Sequence, residues 1–384
     1  MPNRDSEIVL VVEGLRYEGW KEIEVVKSLN NLTTTFGFLI SDKYPGDANR
    51  WPIKLGQPCS IEVNQALIAK GYIDEMNVRY DAISHSLNFA GRDATGDLID
   101  CCHYYDGYKN EWIKQTILSI VQSLCDHFDI IVNVDEDVES DAAYVVPTFK
   151  SNEGDRVIDL IVKVCLKKAI LPVSYGDGHL TLTRAGGAER ASDDIEIGWN
   201  VLSGEAVLSN LERYDQYIVK GQGKGNDDKD LASIVQSKGT AEDNIILRHR
   251  PLVLLSESMT TNKECENRAR WESRLRFGKS RAYRYELQGW LQSNGKPWPL
   301  NGKVRIRDSY FGIDSEYLIS DIDYRLSSDE GRKVTLTVVD PTTYELLDAS
   351  IEADKKSSFD YEGPKRLYGP DSVTVENLGE YDWE

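Results

Sequence analysis

Five histidines, His85, His103, His127, His179 and His249, are the first candidates for metal ligation or proton transfer. None stands in a spacing such as H-E-x-x-H, which would set two imidazoles on one helix face. Two acidic runs offer the oxygen ligands that hard cations prefer: Asp135-Glu136-Asp137 with Glu139 and Asp141, and Asp227-Asp228 with Asp230. Neither has the glycine and the late bidentate glutamate of a calcium loop, so both read as solvated acidic loops. Gly221-x-Gly223-x-Gly225 lacks the Lys-Ser/Thr of a phosphate loop, and no G-x-S-x-G elbow presents a nucleophilic serine. Carboxylates are abundant, but a glycosidase pair is defined by its separation in space, and nothing in the sequence singles one out. No catalytic centre, metal site or cofactor is therefore singled out by these residues.

One charged segment remains unusual. Lys263, Arg268, Arg270, Arg274, Arg276, Lys279, Arg281 and Arg284 face only Glu264, Glu266 and Glu272, a local excess of +5 in a chain whose net charge is -19. Two readings stand side by side. A solvated helix would satisfy its arginines by i,i+4 pairs such as Glu266-Arg270 and Glu272-Arg276. A docking helix would turn Arg268, Arg270, Arg274 and Arg276 to an acidic element of a neighbouring subunit or partner. On the second reading, reversing Arg270 and Arg274 to Glu weakens assembly without unfolding the monomer.

The elements that must carry these residues follow from periodicity. A length of 384 residues predicts two to four domains. Ile8–Val12, Lys21–Val25 and Thr33–Ile40 read as strands by alternation and β-branching. From about residue 101 the pattern changes. Trp112, Ile113, Ile117, Ile120, Val121, Leu124 and Phe128 recur at three and four, predicting one helix with Asn110 as its cap. A second helix is predicted over 153–168, capped by Ser151 or Asn152. Strand 130–134 and a hairpin of 171–175 with 180–183 complete a small α+β domain. Strands then resume at 217–221, a polar loop is expected over 222–244, and the basic helix covers about 262–278. Thr261-x-x-Glu264 reads as its capping box and Gly278 as its C-terminal glycine. Residues 283–290 alternate as a strand. Residues 349–384 read as an acidic, extended tail.

A low-identity repeat links the two β-rich parts. Leu55-Gly56, Cys59–Val63, Leu67–Arg79 and Leu87–Leu98 are answered by Leu300–Gly302, Val304–Asp308, Tyr317–Arg325 and Val334–Leu347. Tyr72-Ile73-Asp74-Glu75 matches Leu318-Ile319-Ser320-Asp321. The expected fold class is thus mixed α+β and β-dominated. It comprises two similar β-barrel-like domains, 1–100 and 191–348, the small domain 101–190 between them, and the tail.

Bulk properties narrow the function. The acidic balance speaks against gripping nucleic acid, which needs clustered Lys and Arg. No run approaches the roughly 18 apolar residues of a membrane helix. Met1–Asp5 lacks a basic-then-apolar signal, so synthesis in a cytoplasm is expected. The six cysteines contain no C-x-x-C pair and read as free thiols of a reducing compartment.

Arg248–Val253, Ala269-Arg270-Trp271 in the basic helix, Gly289-Trp290, Gly295–Asn301, Leu318–Asp321 and Asp340-Pro341 with Tyr344 occur in an order that resembles the baseplate hub family of Mu-like contractile-tail phages. Tyr214–Gln222, Trp20–Leu29 with Phe36, and Gly91–Leu98 fit the same family. The resemblance covers about 7–347 and implies a structural protein similar to the hub of T-even phages, built into the virion tail baseplate. It implies a homotrimer whose paired β-domains form a pseudo-six-fold collar. That collar would join the six-fold tail tube to a three-fold spike and let DNA pass without sequence-specific contact. A tail-associated enzyme that degrades cell wall, or a carbohydrate-binding β-protein drawing on eight tryptophans and twenty tyrosines, are the competing classes.

Overall fold

Alternation in the sequence becomes alternation of burial along the strands. In Glu22–Ser28, for instance, Ile23 and Val25 are buried while Glu22 and Glu24 face solvent. The computed structural model describes residues 8–41, 53–81, 85–104, 110–221, 237–255 and 262–344. The acidic tail, Thr261 of the expected capping box and most of the expected polar loop lie outside the described residues.

The first part contains β1 (Ile8–Val12), β2 (Leu15–Tyr17), β3 (Glu22–Ser28), β4 (Thr35–Ser41), β5 (Pro58–Val63), β6 (Ala66–Tyr80) and β7 (His85–Asp93). The middle part contains α1 (Gly96–Asp100), β8 (Glu111–Thr116), α2 (Ile117–Cys125), β9 (Val132–Val134), α3 (Glu139–Ala142), β10 (Val145–Lys150), α4 (Val157–Cys165), β11 (Leu171–Val173) and β12 (Leu180–Thr183). The last part contains β13 (Ile195–Glu196), β14 (Val201–Leu208), β15 (Gln216–Lys220), β16 (Lys238–Glu242), β17 (Pro251–Leu255), α5 (Asn262–Lys279), β18 (Arg281–Gln288), β19 (Lys303–Asp308), β20 (Ile313–Ser327) and β21 (Gly331–Val339). The result is a β-dominated mixed α+β fold.

The first and last parts share one sheet of 13 strands, ordered β14-β18-β21-β20-β3-β4-β7-β6-β5-β1-β2, with β19 and β13 branching from β20. Its two halves follow one plan. β5, β6 and β7 have 6, 15 and 9 residues, and β19, β20 and β21 again have 6, 15 and 9. Each long strand carries a bulge against its successor, between Ile73 and Glu75 in one and between Ile319 and Asp321 in the other. The approach to each unit is also the same. Gly56 N–H donates to Ile73 O at 2.8 Å and Ile73 N–H to Gln57 O at 3.2 Å; Asn301 N–H donates to Ile319 O and Ile319 N–H to Gly302 O, both at 3.0 Å. The left-handed residue of the second copy is therefore Asn301 (φ 62°), which matches Gly56 (φ 77°), rather than the neighbouring Gly302.

The halves meet at β20 and β3, paired antiparallel from Asp321↔Ser28 to Ser327↔Glu22. A common core underlies them, with Phe36, Phe38, Leu287, Tyr285, Tyr324 and Trp290 buried together. Trp290 stacks 5.3 Å from Tyr324 and donates its indole N–H to Arg325 O at 2.8 Å, so the large ring is buried with its polar atom satisfied.

The middle part has its own core, made by α2 and α4. Ile117, Ile120, Val121 and Leu124 of α2 meet Val157, Leu160, Ile161 and Val164 of α4, the apolar stripe the sequence period predicts. Two boundaries differ from the sequence reading. The first helix starts at Ile117, not after Asn110, because Glu111–Thr116 pairs with β10 as a strand. Trp112 turns inward while Ile113 is 60% exposed, so a period of two overrides the apparent helical one. Thr116 is the actual cap, accepting Ser119 N–H at 3.1 Å. The second helix starts at Val157, after Arg156 in an extended conformation.

The last part holds a second, three-stranded sheet, β16-β15-β17, covered by α5. Lys238–Glu242 had the polarity of a loop but is a strand, and Gly239 lies so close to α5 that a Cβ there would sit 2.0 Å from Glu266 N. Gly278 is inside the last helical turn, where Thr343 leaves no room for a side chain, and it is not the terminating residue.

Candidate assembly surfaces

Helix α5 buries a narrow stripe. Cys265 and Ala269 pack on Tyr217 and Val219 of β15, and Leu275 continues the stripe against Leu318, Val339 and Tyr344. The next position on this face is Glu272, a carboxylate that is only 6% exposed. Arg268 meets it at 2.7 Å and Arg276 at 3.4 Å, so two of the four candidate docking arginines neutralise an inward-facing acid. Arg268 also lies 4.4 Å over the Trp271 ring, and Arg276 lies 5.4 Å over Tyr214. Arg270 pairs with Glu266 one turn back. Arg274 is half-buried on the same helix. The structure thus brings Arg268 and Arg276 together around Glu272, while Arg270 belongs to a separate surface pair.

A second buried charge pair anchors this small sheet. Arg213 is 1% exposed and donates to Asp243 through Nε at 2.9 Å and Nη2 at 2.7 and 2.9 Å, while Phe277 of α5 covers its guanidinium at 4.8 Å. Geometry of this kind satisfies both ions away from water.

The middle part is fixed to the large sheet by Asp93, which is 2% exposed. Its Oδ1 accepts the Thr33 hydroxyl at 3.0 Å and the Thr95 N–H and hydroxyl at 2.9 and 2.5 Å. Its Oδ2 accepts Thr34 N–H and the Ser174 hydroxyl, both at 2.8 Å. Beside it Lys27 is buried and donates to Tyr175 O at 2.7 Å. Burial lowers the Lys27 ammonium to about 8, and Asp93 and Asp177 oppose that shift. Periodicity could not find this site, because its members come from four separate segments. The short polar residues Thr33, Thr34, Asp93 and Thr95 in otherwise apolar surroundings are the only sequence signal.

The acidic run at 135–141 does not gather into an ion site: among the described residues no group of three or more His, Cys, Asp or Glu side chains could hold a metal, and Asp227, Asp228 and Asp230 lie outside the described residues. Two shallow surface depressions, one lined by Gln122, Asp126 and Asp129 and the other by Asp215, Glu242 and Asp243, contain no nucleophile paired with a base. Of the histidines, His103 is buried and packs 5.3 Å from Trp112.

Three family models match the chain in succession. Residues 7–93 match the N-terminal domain of Mu phage baseplate assembly protein GpP-like proteins, 95–184 the second domain of baseplate hub protein gp44-like proteins, and 261–347 the fourth domain of Mu phage baseplate assembly protein GpP. The baseplate hub protein gp44 of Escherichia phage Mu is 30% identical over 358 residues, 92% of each chain. The chain belongs to the Mu-like phage baseplate hub family. The 43 kDa tail protein of prophage MuSo2 from Shewanella oneidensis has the same fold, with a TM-score of 0.77, 28% identity, and coverage of 88% of this chain and 99% of that one. A tail protein from Neisseria meningitidis MC58 shares the fold at a TM-score of 0.73 and 16% identity, over 88% and 98% of the two chains. This hub protein is accordingly a structural component of a phage tail baseplate. No helix among the described residues is long and apolar enough to cross a membrane.

Proposed function

We propose that three copies of this hub protein close into a ring with pseudo-six-fold symmetry, joining the six-fold tail tube above to a three-fold spike below. The observation that carries the reading is the eight-strand run β14-β18-β21-β20 and β3-β4-β7-β6, two equivalent four-stranded arcs in one sheet. Three chains then present six arcs, and a rotation repeated head to tail closes without leaving an edge.

The face of these arcs turned away from the core supports passage of DNA through the bore without gripping it. Glu22, Glu24, Glu75, Glu205, Glu286, Asp321 and Asp323 alternate there with Arg79, Arg284, Arg325 and Lys333, an acidic balance that disfavours holding phosphate. On this reading the first and last parts are the two barrel-like tube domains and residues 101–190 form a peripheral domain. The protein has no enzymatic role, assembles in the host cytoplasm, and contacts spike, tube and other baseplate proteins rather than a membrane. Docking of α5 to an acidic partner is tested by reversing Arg270 and Arg274 to Glu, whereas Arg268 and Arg276 hold Glu272 within the chain. Light scattering of the purified chain tests the ring. A mass of three times 43.4 kDa is expected, and a monomer at all concentrations refutes it.

A further inference from the structure

The duplicated sheet specifies which strands would meet between neighbouring chains, and in what register. Within the chain the joint between arcs is β20 on β3. Matching the arcs through their bulges and cross-strand partners makes Glu75 equivalent to Asp321, Val78 to Tyr324 and Arg79 to Arg325. The aromatic rows agree, since Phe36 and Phe38 pair with β7 as Tyr283 and Tyr285 pair with β21. Carried one strand further, Glu24 of β3 corresponds to Glu205 of β14, and Val25 to Ala206.

Among the described residues, both strands that lack the equivalent neighbour are edges of the sheet. Pairing of β5 with β6 ends at Tyr72, so among the described strands residues 75–80 are paired in the sheet with β7 alone and β14 with β18 alone. Burial follows the missing partner. Tyr324 is fully buried under β3, whereas its equivalent Val78 is 57% exposed, and Leu208 at the end of β14 is 57% exposed. The edge of β14, Val201–Leu208, has Glu205 as its sole charge and no proline or lysine, so nothing along it repels another strand.

We infer that residues 75–80 of one chain pair antiparallel with β14 of the next, with Arg79 opposite Glu205, Val78 opposite Ala206 and Met76 opposite Leu208. The internal joint is the template. There Arg325 stands opposite Glu24 and binds it at 3.0 Å. The charges of the open edges are complementary in the same positions, Arg79 for Arg325 and Glu205 for Glu24. The partner is a second copy of this chain, and the register deepens the ring reading and rests on it.

The test uses the full chain. Arg79→Glu and Glu205→Arg each set like charges opposite one another across every seam. A cross-strand pair so reversed weakens pairing roughly fivefold, which over three seams lowers the trimer formation constant about a hundredfold. The double variant restores it to within a few fold, read by sedimentation across a concentration series. In a chain lacking Cys101 and Cys102, Val78→Cys with Ala206→Cys cross-links chains on mild oxidation, and Val78→Cys with Leu202→Cys does not. A trimer indifferent to both reversals, or cross-linked equally by both cysteine pairs, overturns the register while leaving the ring intact. A wild-type chain that stays monomeric overturns both.

Discussion

Asp93→Asn should cost this protein about 4 kcal/mol, because the change preserves shape and removes only charge and acceptor capacity. Five donors converge on the carboxylate. An amide oxygen left at the Oδ1 position still receives Thr33 and Thr95, but the amide nitrogen then faces Thr34 N–H, itself a donor on a residue 1% exposed. One buried N–H without an acceptor costs about 1–3 kcal/mol. The remaining bonds lose their charge assistance, roughly half their strength each, which adds about 2 kcal/mol. Lys27 also loses the stronger of the two carboxylates that favour its charged form. Urea unfolding followed by tryptophan fluorescence should therefore give a lower midpoint at an unchanged m-value. Asp100→Asn is the control, since Asp100 is half-exposed and its pair with Arg92 at 2.7 Å is worth about 1 kcal/mol or less. A loss below about 1 kcal/mol for Asp93→Asn, or equal losses for both variants, would refute the reasoning.

Lys27 predicts a pH signature. Its ammonium sits near 8 in the fold against 10.5 when unfolded, so between these values the unfolded chain holds a proton that the folded chain has shed, and stability gains as pH rises. Buried Cys59 and Cys125, both raised to about 12 by burial, act in the opposite sense above 9, so the comparison must be with Lys27→Met. The wild-type advantage should grow by roughly 3 kcal/mol from pH 7.5 to 10.5, and a constant difference in urea midpoints contradicts it. Asp243→Asn leaves Arg213 buried without a counter-charge and should cost about 3–5 kcal/mol. Hydrogen exchange should quicken in β15–β17 and α5 before the large sheet, and uniform exchange would argue against this. Gly91→Ala drives a methyl to 2.1 Å from Tyr72 O and 2.6 Å from the Phe36 ring. A loss of at least about 3 kcal/mol is expected from backbone displacement, and an unchanged melting temperature would dismiss it. Cys102, the exposed thiol, should alkylate in the native protein while Cys125 and Cys165 resist until unfolding. Equal labelling by mass spectrometry would contradict the core assignment.

Local patterns carried much of the fold. The alternation of β3, the aromatic rows of β4 and β18, and the apolar stripe of α4 each follow from side chains within a few residues of one another. The repeat was legible for the same reason, since Ile73 and Ile319 lie within matching strand patterns. Where local signals competed, the wrong one was easier to see. Trp112 and Ile113 fit a helical period with the residues after them, but only pairing with β10 decides that they form a strand. Lys238–Glu242 carries too little apolar character to announce β16, whose place is set by Gly239 under α5. The joint of β20 with β3 spans nearly the whole chain and leaves no periodic trace. Among the basic residues, spacing identified the Glu266–Arg270 and Glu272–Arg276 pairs. It could not reveal that Glu272 points inward and takes Arg268 as well, because that depends on which face of α5 meets the sheet.

The ladder between β20 and β3 also has a mechanical meaning. The two halves are joined by hydrogen-bonded backbone rather than by a tether, so neither can pivot independently of the other. A load applied to one half reaches the other as shear across seven facing residue pairs, from Asp321–Ser28 to Ser327–Glu22. Bonds aligned side by side in this way share such a load along their whole length.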